Sequence, residues 1–403
     1  MKVLVLSPKP PLPIKGGFEL RVFNILKALS GDHSLNLICQ SNNEIPQDSL
    51  DELNNVFDSV EMFHIRPLHQ KERRQNLLQK LRILNYPPPD YRDVNCHSDD
   101  MRRRIVEMTN GDFDIIHVVS LNLLSYLPNL ESLPAVCDSI DDYSLYFRRT
   151  IMRQPGVFEK VRFVYEWAAV RQFEKRYVPK FKQVVVVSPV DAEVMKSVAG
   201  TDNVSVVPNG VDAEFFKPDP SVEEKPVGIF TGVMDYEPNV TAVLHFCKSI
   251  MPHIIREIPD FEFWVVGRDP DPLITETCGH LPNVRITGFV DDIRPYFSQA
   301  QVYVSPLRSG SGIKNKILEA WAMGKPVVAT EMSCDGIDVA PGKDIVTEDD
   351  PRKFADSVIR LLKDPSRRAS LGENARRKVV EQYSWEAQAA KLEEIYRQVA
   401  AAR

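Results

Sequence analysis

The chain reads as an α/β protein with two doubly wound parallel sheets, and three observations predict this. Short β-branched runs alternate with longer amphipathic stretches from end to end, which is the pattern of parallel strands covered by helices. The alternation breaks once, near the middle, at a segment rich in Pro, Asn-Gly and charge, and then restarts. A chain of 403 residues, 43% hydrophobic and 26% charged, is also too long for one core and fits two domains of ordinary size.

The elements follow in order. Residues 3–6, 35–39, 115–119, 135–137 and 184–187 are the strand-like runs of the first series, with helical stretches between them. Val206-Val207-Pro208-Asn209-Gly210-Val211-Asp212 forms the turn, and Phe215 to Pro220 with Glu223-Glu224-Lys225 reads as linker. Residues 227–230, 261–266, 284–287, 302–304, 327–329 and 344–346 make the second series. The expected division is a first domain over 1–212, a linker over 213–225 and a second domain over 226–385. An Ala-rich helix over 386–403 is expected to cross back to the first domain. Ligands in open α/β sheets sit beyond the carboxyl ends of the strands, so two facing domains predict a cleft between them.

Composition narrows the function. The net charge of −6 gives no whole-chain attraction to nucleic acid. A local basic stretch between Arg66 and Arg104, with Lys71, Arg73, Arg74, Lys80, Arg82 and Arg102-Arg103-Arg104 among leucines, reads either as a solvated helical face or as a contact with an anionic membrane surface or a charged acceptor. The six cysteines are scattered with no C-x-x-C, so neither a zinc site nor a disulfide framework is indicated. The first apolar run is too short for a signal peptide, and no run approaches the ~20 residues that span a bilayer. The expectation is a cytoplasmic protein, peripheral at most to the inner membrane face.

The stretch 305–330 carries the chemistry. An apolar strand ends in Pro306-Leu307-Arg308-Ser309-Gly310-Ser311-Gly312-Ile313, a helix follows with Lys314, Asn315, Lys316 and Glu319, and Gly324-Lys325-Pro326 leads into the next apolar strand. Glycines let backbone approach an anion, a helix start carries partial positive charge, and two lysines add full charges, so a diphosphate is the predicted guest. Glu319 repels phosphate but suits a pair of ribose hydroxyls. The competing reading is a solvated helix end beside a sheet whose apolar strands are simply core. In the first domain the strand 3–6 runs through a proline-rich turn to Gly16-Gly17 and a helix beginning near Glu19 with Arg21 on it, a second junction where backbone approach is permitted. No G-x-G-x-x-G follows either first strand, which argues against a nicotinamide dinucleotide fold.

Taken together, these segments resemble the GT-B glycosyltransferases of family 4 (group 1), most closely the sugar transferases associated with bacterial exopolysaccharide and exosortase systems. The resemblance rests on Gly16-Gly17-x-x-x-Arg21, Asp114-Ile115-Ile116-His117, Val207-Pro208-Asn209-Gly210-Val211-Asp212, Phe230-Thr231-Gly232, Val265-Val266-Gly267, Thr287-Gly288-Phe289-Val290 and Gly312-Ile313-Lys314-Asn315-Lys316-x-x-Glu319-Ala320. It implies two facing Rossmann-like domains and a retaining transfer of a sugar from a nucleotide diphosphate to an acceptor hydroxyl, with no cofactor and no obligatory metal. Glu319 corresponds to the residue that holds the ribose. Thr287, Gly288 and Phe289 border the base, and Gly16 and Gly17 meet the diphosphate. Gly232, Arg308, Ser311, Gly312, Ile313, Lys314, Asn315 and Lys316 complete the donor side, with Lys314 and Lys316 assisting departure of the diphosphate. His117 is expected to orient the sugar or acceptor, with a packed strand-end histidine as the alternative. Arg21, Asp138, Asp141 and Asp142 are the acceptor-side candidates, and Arg148 and Arg149 are further cations there. The acceptor implied is a saccharide or a lipid-linked saccharide.

This chain departs from the family pattern at three places. Relatives carry a second glutamate eight positions before Glu319, where this chain has Ser311; relatives carry cations after Gly232, where this chain has Val233-Met234-Asp235; and Val119 stands where a second histidine is frequent. Lys314 and Lys316, with Arg308, are the available replacements for the missing cations. Two alternatives stay open on the sequence, a nucleotide-sugar epimerase using His117 and the Asp138 cluster, and a non-catalytic nucleotide-sugar-binding subunit.

Overall fold

The computed structural model describes residues 1–64, 98–127, 129–153, 156–310 and 312–402. The chain forms two compact units, one of Met1–Pro208 with Gln388–Arg403 and one of Asn209–Ala387. The change of unit falls inside the Pro208-Asn209 turn, ahead of Asp212. Val211 explains why: its N–H donates to Tyr383 O at 2.8 Å and it bridges to Ser384, so the chain is already tied to the second unit there.

The first unit holds seven parallel strands in the order β3-β2-β1-β4-β5-β6-β7. These are β1 (Lys2–Ser7), β2 (Ser34–Ser41), β3 (Ser59–His64), β4 (Ile115–Val119), β5 (Ala135–Ile140), β6 (Gln183–Val186) and β7 (Val204–Val206). Its helices among the described residues are α1 (Gly17–Leu29), α2 (Gln47–Val56), α3 (Asp99–Thr109), α4 (Tyr143–Arg153), α5 (Val157–Tyr177) and α6 (Pro189–Ala199). Every residue of β4 is buried and only Lys2 of β1 is exposed, as expected of strands covered on both faces.

The second unit repeats the plan with six parallel strands in the order β10-β9-β8-β11-β12-β13. Its strands are β8 (Lys225–Thr231), β9 (Glu262–Val266), β10 (Val284–Ile286), β11 (Ala300–Ser305), β12 (Val327–Ala329) and β13 (Val346–Thr347). The helices are α7 (Glu237–His245), α8 (Met251–Glu257), α9 (Pro272–Cys278), α10 (Arg294–Gln299), α11 (Asn315–Ala322), α12 (Pro351–Lys363) and α13 (Pro365–Tyr383). The strand expected over 344–346 is instead Val346–Thr347, because the Asp344 N–H is used in a turn, donating to Ala340 O at 3.1 Å.

The last helix, α14 (Trp385–Ala401), joins the first unit from Gln388 onward. Tyr396 on it is fully buried there, its hydroxyl 2.8 Å from His117 Nδ1. Among the described residues no helix is long and apolar enough to cross a membrane. Of the basic stretch read between Arg66 and Arg104, everything up to Arg82 lies outside the described residues. Arg103 pairs with Asp100, and Arg104 with Glu61 at 2.8 Å and Glu107 at 3.0 Å. Two of the three arginines of α3 are thus already matched by acids.

Candidate active site

The site in the second unit begins where β8 and β9 end. Gly232 and Gly267 follow these strands with φ of +152° and +153°, and a Cβ on Gly267 would lie 1.7 Å from Gly232 O. Only glycines let the two turns come this close. A Cβ on Gly232 would sit 2.8 Å from Asn239 Nδ2 and 2.9 Å from Lys316 Nζ, so the missing side chain leaves the place that this lysine fills. Gly232→Ala is expected to lower stability by about 1–3 kcal/mol, through the strained φ and the displaced lysine. Urea unfolding checks this, and an unchanged midpoint would refute it.

Lys316 is held in two ways. Its Nζ donates to Asn239 Oδ1 at 2.7 Å and lies 4.2 Å from the centroid of Phe230, and Asn239 is itself fixed because Nδ2 donates to Val233 O at 2.8 Å. Burial pushes the ammonium down to about 7, with Glu319 opposing and Lys314 assisting. Glu319, three residues on and therefore on the same helix face, is pushed up to about 7 by burial, with Lys316 opposing. An ammonium and a carboxylate that share a face without a direct ion pair are poised to receive other partners.

The loop before α11 is built into the core at both ends. Ser333 Oγ donates to Ser305 O at 2.6 Å, Thr330 Oγ1 donates to Leu307 O at 2.5 Å, and Ile313 is buried. Gly310 and Gly312 take φ of +125° and +67° between these anchors, and Ser311 lies outside the described residues. Lys314 occupies the N-cap of α11 with no side-chain cap, so no side-chain oxygen of the cap residue covers the first amides of the helix. Its own Nζ folds back onto Gly312 O at 2.5 Å. Asn315 Oδ1 accepts from Asn209 Nδ2 at 3.1 Å, which ties the start of the helix to the turn. Arg308 is exposed, and its charge adds to burial in pushing His245 below the ordinary histidine value.

Thr287, Gly288 and Phe289 follow β10. Gly288 has φ +68°, and the Phe289 ring is 72% exposed, an uncovered aromatic face after a strand end. Asn239 and Gly267 are the site residues that sequence reasoning missed. Gly267 ended a quoted strand motif, whereas nothing marked Asn239 until its amide was seen on Lys316.

In the first unit Gly16 and Gly17 are exposed at the start of α1, which begins at Gly17 rather than near Glu19, and nothing lies within 4 Å of a Cβ on Gly17. The acceptor-side candidates divide between the interior and the surface of the unit. Arg21 is fully buried, with Nε 3.0 Å from Asp138 Oδ2, Nη2 3.2 Å from Asp138 Oδ1 and Nη1 3.1 Å from Pro208 O. Asp138 is 1% exposed and also accepts from Ile140 N at 3.2 Å. These two residues neutralise each other inside the unit. His117 is buried as well: desolvation pushes its imidazole down to about 4, so it is neutral at pH 7, and its Nδ1 shares a hydrogen bond of 2.8 Å with the Tyr396 hydroxyl, in keeping with the alternative of a packed strand-end histidine. Asp142 starts α4, its Oδ1 accepting from Ser144 Oγ at 2.6 Å and Leu145 N at 2.7 Å. Asp141 stays exposed, just after Ile140, whose φ of +67° is strained for a β-branched residue. Among the described residues no group of three or more His, Cys, Asp or Glu is placed to hold a metal ion.

Comparison with known proteins matches both units. Residues 15–215 match the family model described as Glycosyltransferase Family 4, and residues 225–364 the one described as Glycosyl transferases group 1. A phosphatidyl-myo-inositol mannosyltransferase of Mycolicibacterium smegmatis is 26% identical over 73% of this chain and 74% of its own. A Klebsiella pneumoniae protein described as an uncharacterized 44.6 kDa protein in the cps region is 22% identical over 95% of this chain and 96% of its own. Among solved structures, sucrose-phosphate synthase from Thermosynechococcus elongatus superposes with a TM-score of 0.68 at 17% identity, covering 100% of both chains. Anabaena Alr3699/HepE in complex with UDP does so with a TM-score of 0.64 at 16% identity, covering 99% of this chain and 100% of its own. These likenesses show the fold.

Proposed function

This chain belongs to the glycosyltransferases of family 4, group 1, and we propose that it moves a sugar, with retention of configuration, from a nucleotide diphosphate to an acceptor hydroxyl. The observation that carries the reading is the Lys316 ammonium, fixed by Asn239 in the space that Gly232 leaves, with Glu319 on the same face of α11. A departing nucleoside diphosphate accumulates negative charge, and an ammonium already oriented and partly desolvated stabilises it with little reorganisation. Lys314 and the uncapped amides of α11 add to that field, Arg308 lies in the same loop, and Glu319 accepts from the ribose hydroxyls. Phe289 offers its ring to the base. No protein nucleophile is assigned, because the departing phosphate itself takes the acceptor's proton, and charge neutralisation falls to the two lysines with no part given to a metal.

On the acceptor side Gly16, Gly17 and Asp141 remain at the surface of the first unit. The similarity to a protein of a cps region supports a saccharide acceptor in bacterial exopolysaccharide assembly, and that to an enzyme named for phosphatidyl-myo-inositol supports a lipid-linked one. Against the epimerase alternative, His117 is paired with Tyr396 and Asp138 with Arg21, which leaves Asp141 as the exposed acid of that cluster.

The test is a melting-temperature screen against UDP, GDP, ADP and their sugars, with EDTA present. A ligand at about 100 times its Kd stabilises the native state by roughly 2.7 kcal/mol, a readily seen shift. Stabilisation by one base family in EDTA is the expected result, and silence from all three would refute the donor site.

A further inference from the structure

The first half of α5 (Val157–Tyr177) stands out of the first unit with an apolar outer face. Val157 is 79% exposed, Phe158 85% and Val161 64%, with Val164 and Tyr165 also exposed. At about 100° per residue these five fall within one arc of roughly 120°, on a different side of the helix from Val170 and Phe173, which are buried. The helix is thus apolar both where it meets the core and where it meets solvent, an arrangement that water alone does not favour.

Charge around this stripe is sorted. Lys160 and Arg171 border it on one side and Arg162 on the other, whereas Glu159, Glu166 and Glu174 fall on the opposite half of the helix. The stretch 143–177 holds eight Lys and Arg against three Asp and Glu, in a chain whose totals are 50 against 56. A groove of about 220 Å³ farther along the helix is lined by Trp167 and Arg171, with Arg148 and Glu193. Arg171 lies 5.0 Å from the Trp167 ring.

We propose that this outer face of α5 docks the protein on an anionic lipid bilayer, with Phe158, Val157 and Val161 entering the acyl boundary and Arg148, Lys160, Arg162 and Arg171 meeting lipid phosphates. An apolar stripe between cations, with aromatic residues beside it, is what an interfacial helix requires. Complementary charge selects the bilayer over a second copy of this chain, because pairing two such faces would bring their excess positive charge together. The inference is independent of the donor site.

Sedimentation of the full chain with vesicles tests it. Wild type is expected to pellet with vesicles of equal parts phosphatidylglycerol and phosphatidylcholine, to stay in solution with phosphatidylcholine alone, and to be released by high salt. The double variant F158D/V161D should bind at least about tenfold more weakly. R162Q should lose roughly fivefold on the anionic vesicles. All these positions are exposed, so both variants should melt like wild type. The proposal is overturned if wild type ignores anionic vesicles, or if F158D/V161D pellets as well as wild type. It is equally overturned if gel filtration shows that F158D/V161D dissolves a dimer while wild type never binds lipid.

Discussion

Lys316→Ala is expected to weaken binding of a nucleoside diphosphate by about 10- to 100-fold, the loss of a charge-assisted contact of roughly 1.5–3 kcal/mol. The apo protein should not suffer with it. The fold holds Lys316 at about 7, below the ordinary lysine value of 10.5, so a charged Lys316 costs stability. That cost is full below about pH 7 and disappears as pH rises from about 7 toward 10.5, and the alanine variant should lack this dependence. Affinity runs the other way. The ammonium needed by the diphosphate is lost as pH rises through about 7, so the wild-type Kd should rise more steeply above about pH 7 than that of Lys316→Ala. Glu319 titrates in the same region, and Glu319→Gln, which keeps the lysine, separates the two. Calorimetry with UDP and GDP across pH 6 to 9 reads all of this. Equal affinity in wild type and Lys316→Ala would remove the lysine from the site.

Asp138→Ala is expected to destabilise the first unit by about 3–5 kcal/mol, because it leaves the Arg21 guanidinium buried and uncompensated. Arg21→Met combined with Asp138→Leu should recover most of that loss, since exchanging both members of a buried pair for apolar groups removes the desolvation cost along with the attraction. Thermal melting of the three proteins decides it. An acceptor-binding pair would instead show near-normal melting with impaired transfer, so an unchanged melting temperature in Asp138→Ala would restore the acceptor reading.

The two cases differ in how much was legible. Lys314, Lys316 and Glu319 lie at the cap and in the body of one short helix, so their spacing alone made them one candidate site, and the loop before them was readable from its glycines. Arg21 and Asp138 lie 117 positions apart, and each looked like a surface residue beside a turn. Sequence offers no sign that two polar side chains at distant strand and helix ends will satisfy each other. His117 shows the same limit. Its strand was clear, but its partner Tyr396 arrives from the last helix of the chain, and the neutral imidazole follows from that burial. The apolar outer face of α5 was hidden for a related reason: apolar residues all around a helix read as core until the structure shows which side the core occupies.

The sequence by itself determined the two α/β series, the family, and the helix that carries cations and a carboxylate, because strand and helix periodicity and short-range spacing are local properties of the chain. Only the tertiary structure decided which charged groups are consumed by the fold. It placed Asn239 and Gly232 around Lys316 and closed Arg21 onto Asp138. The reason is physical: a charge's role depends on desolvation and on its nearest opposite partner, and both are set by residues that meet only when the sheets form.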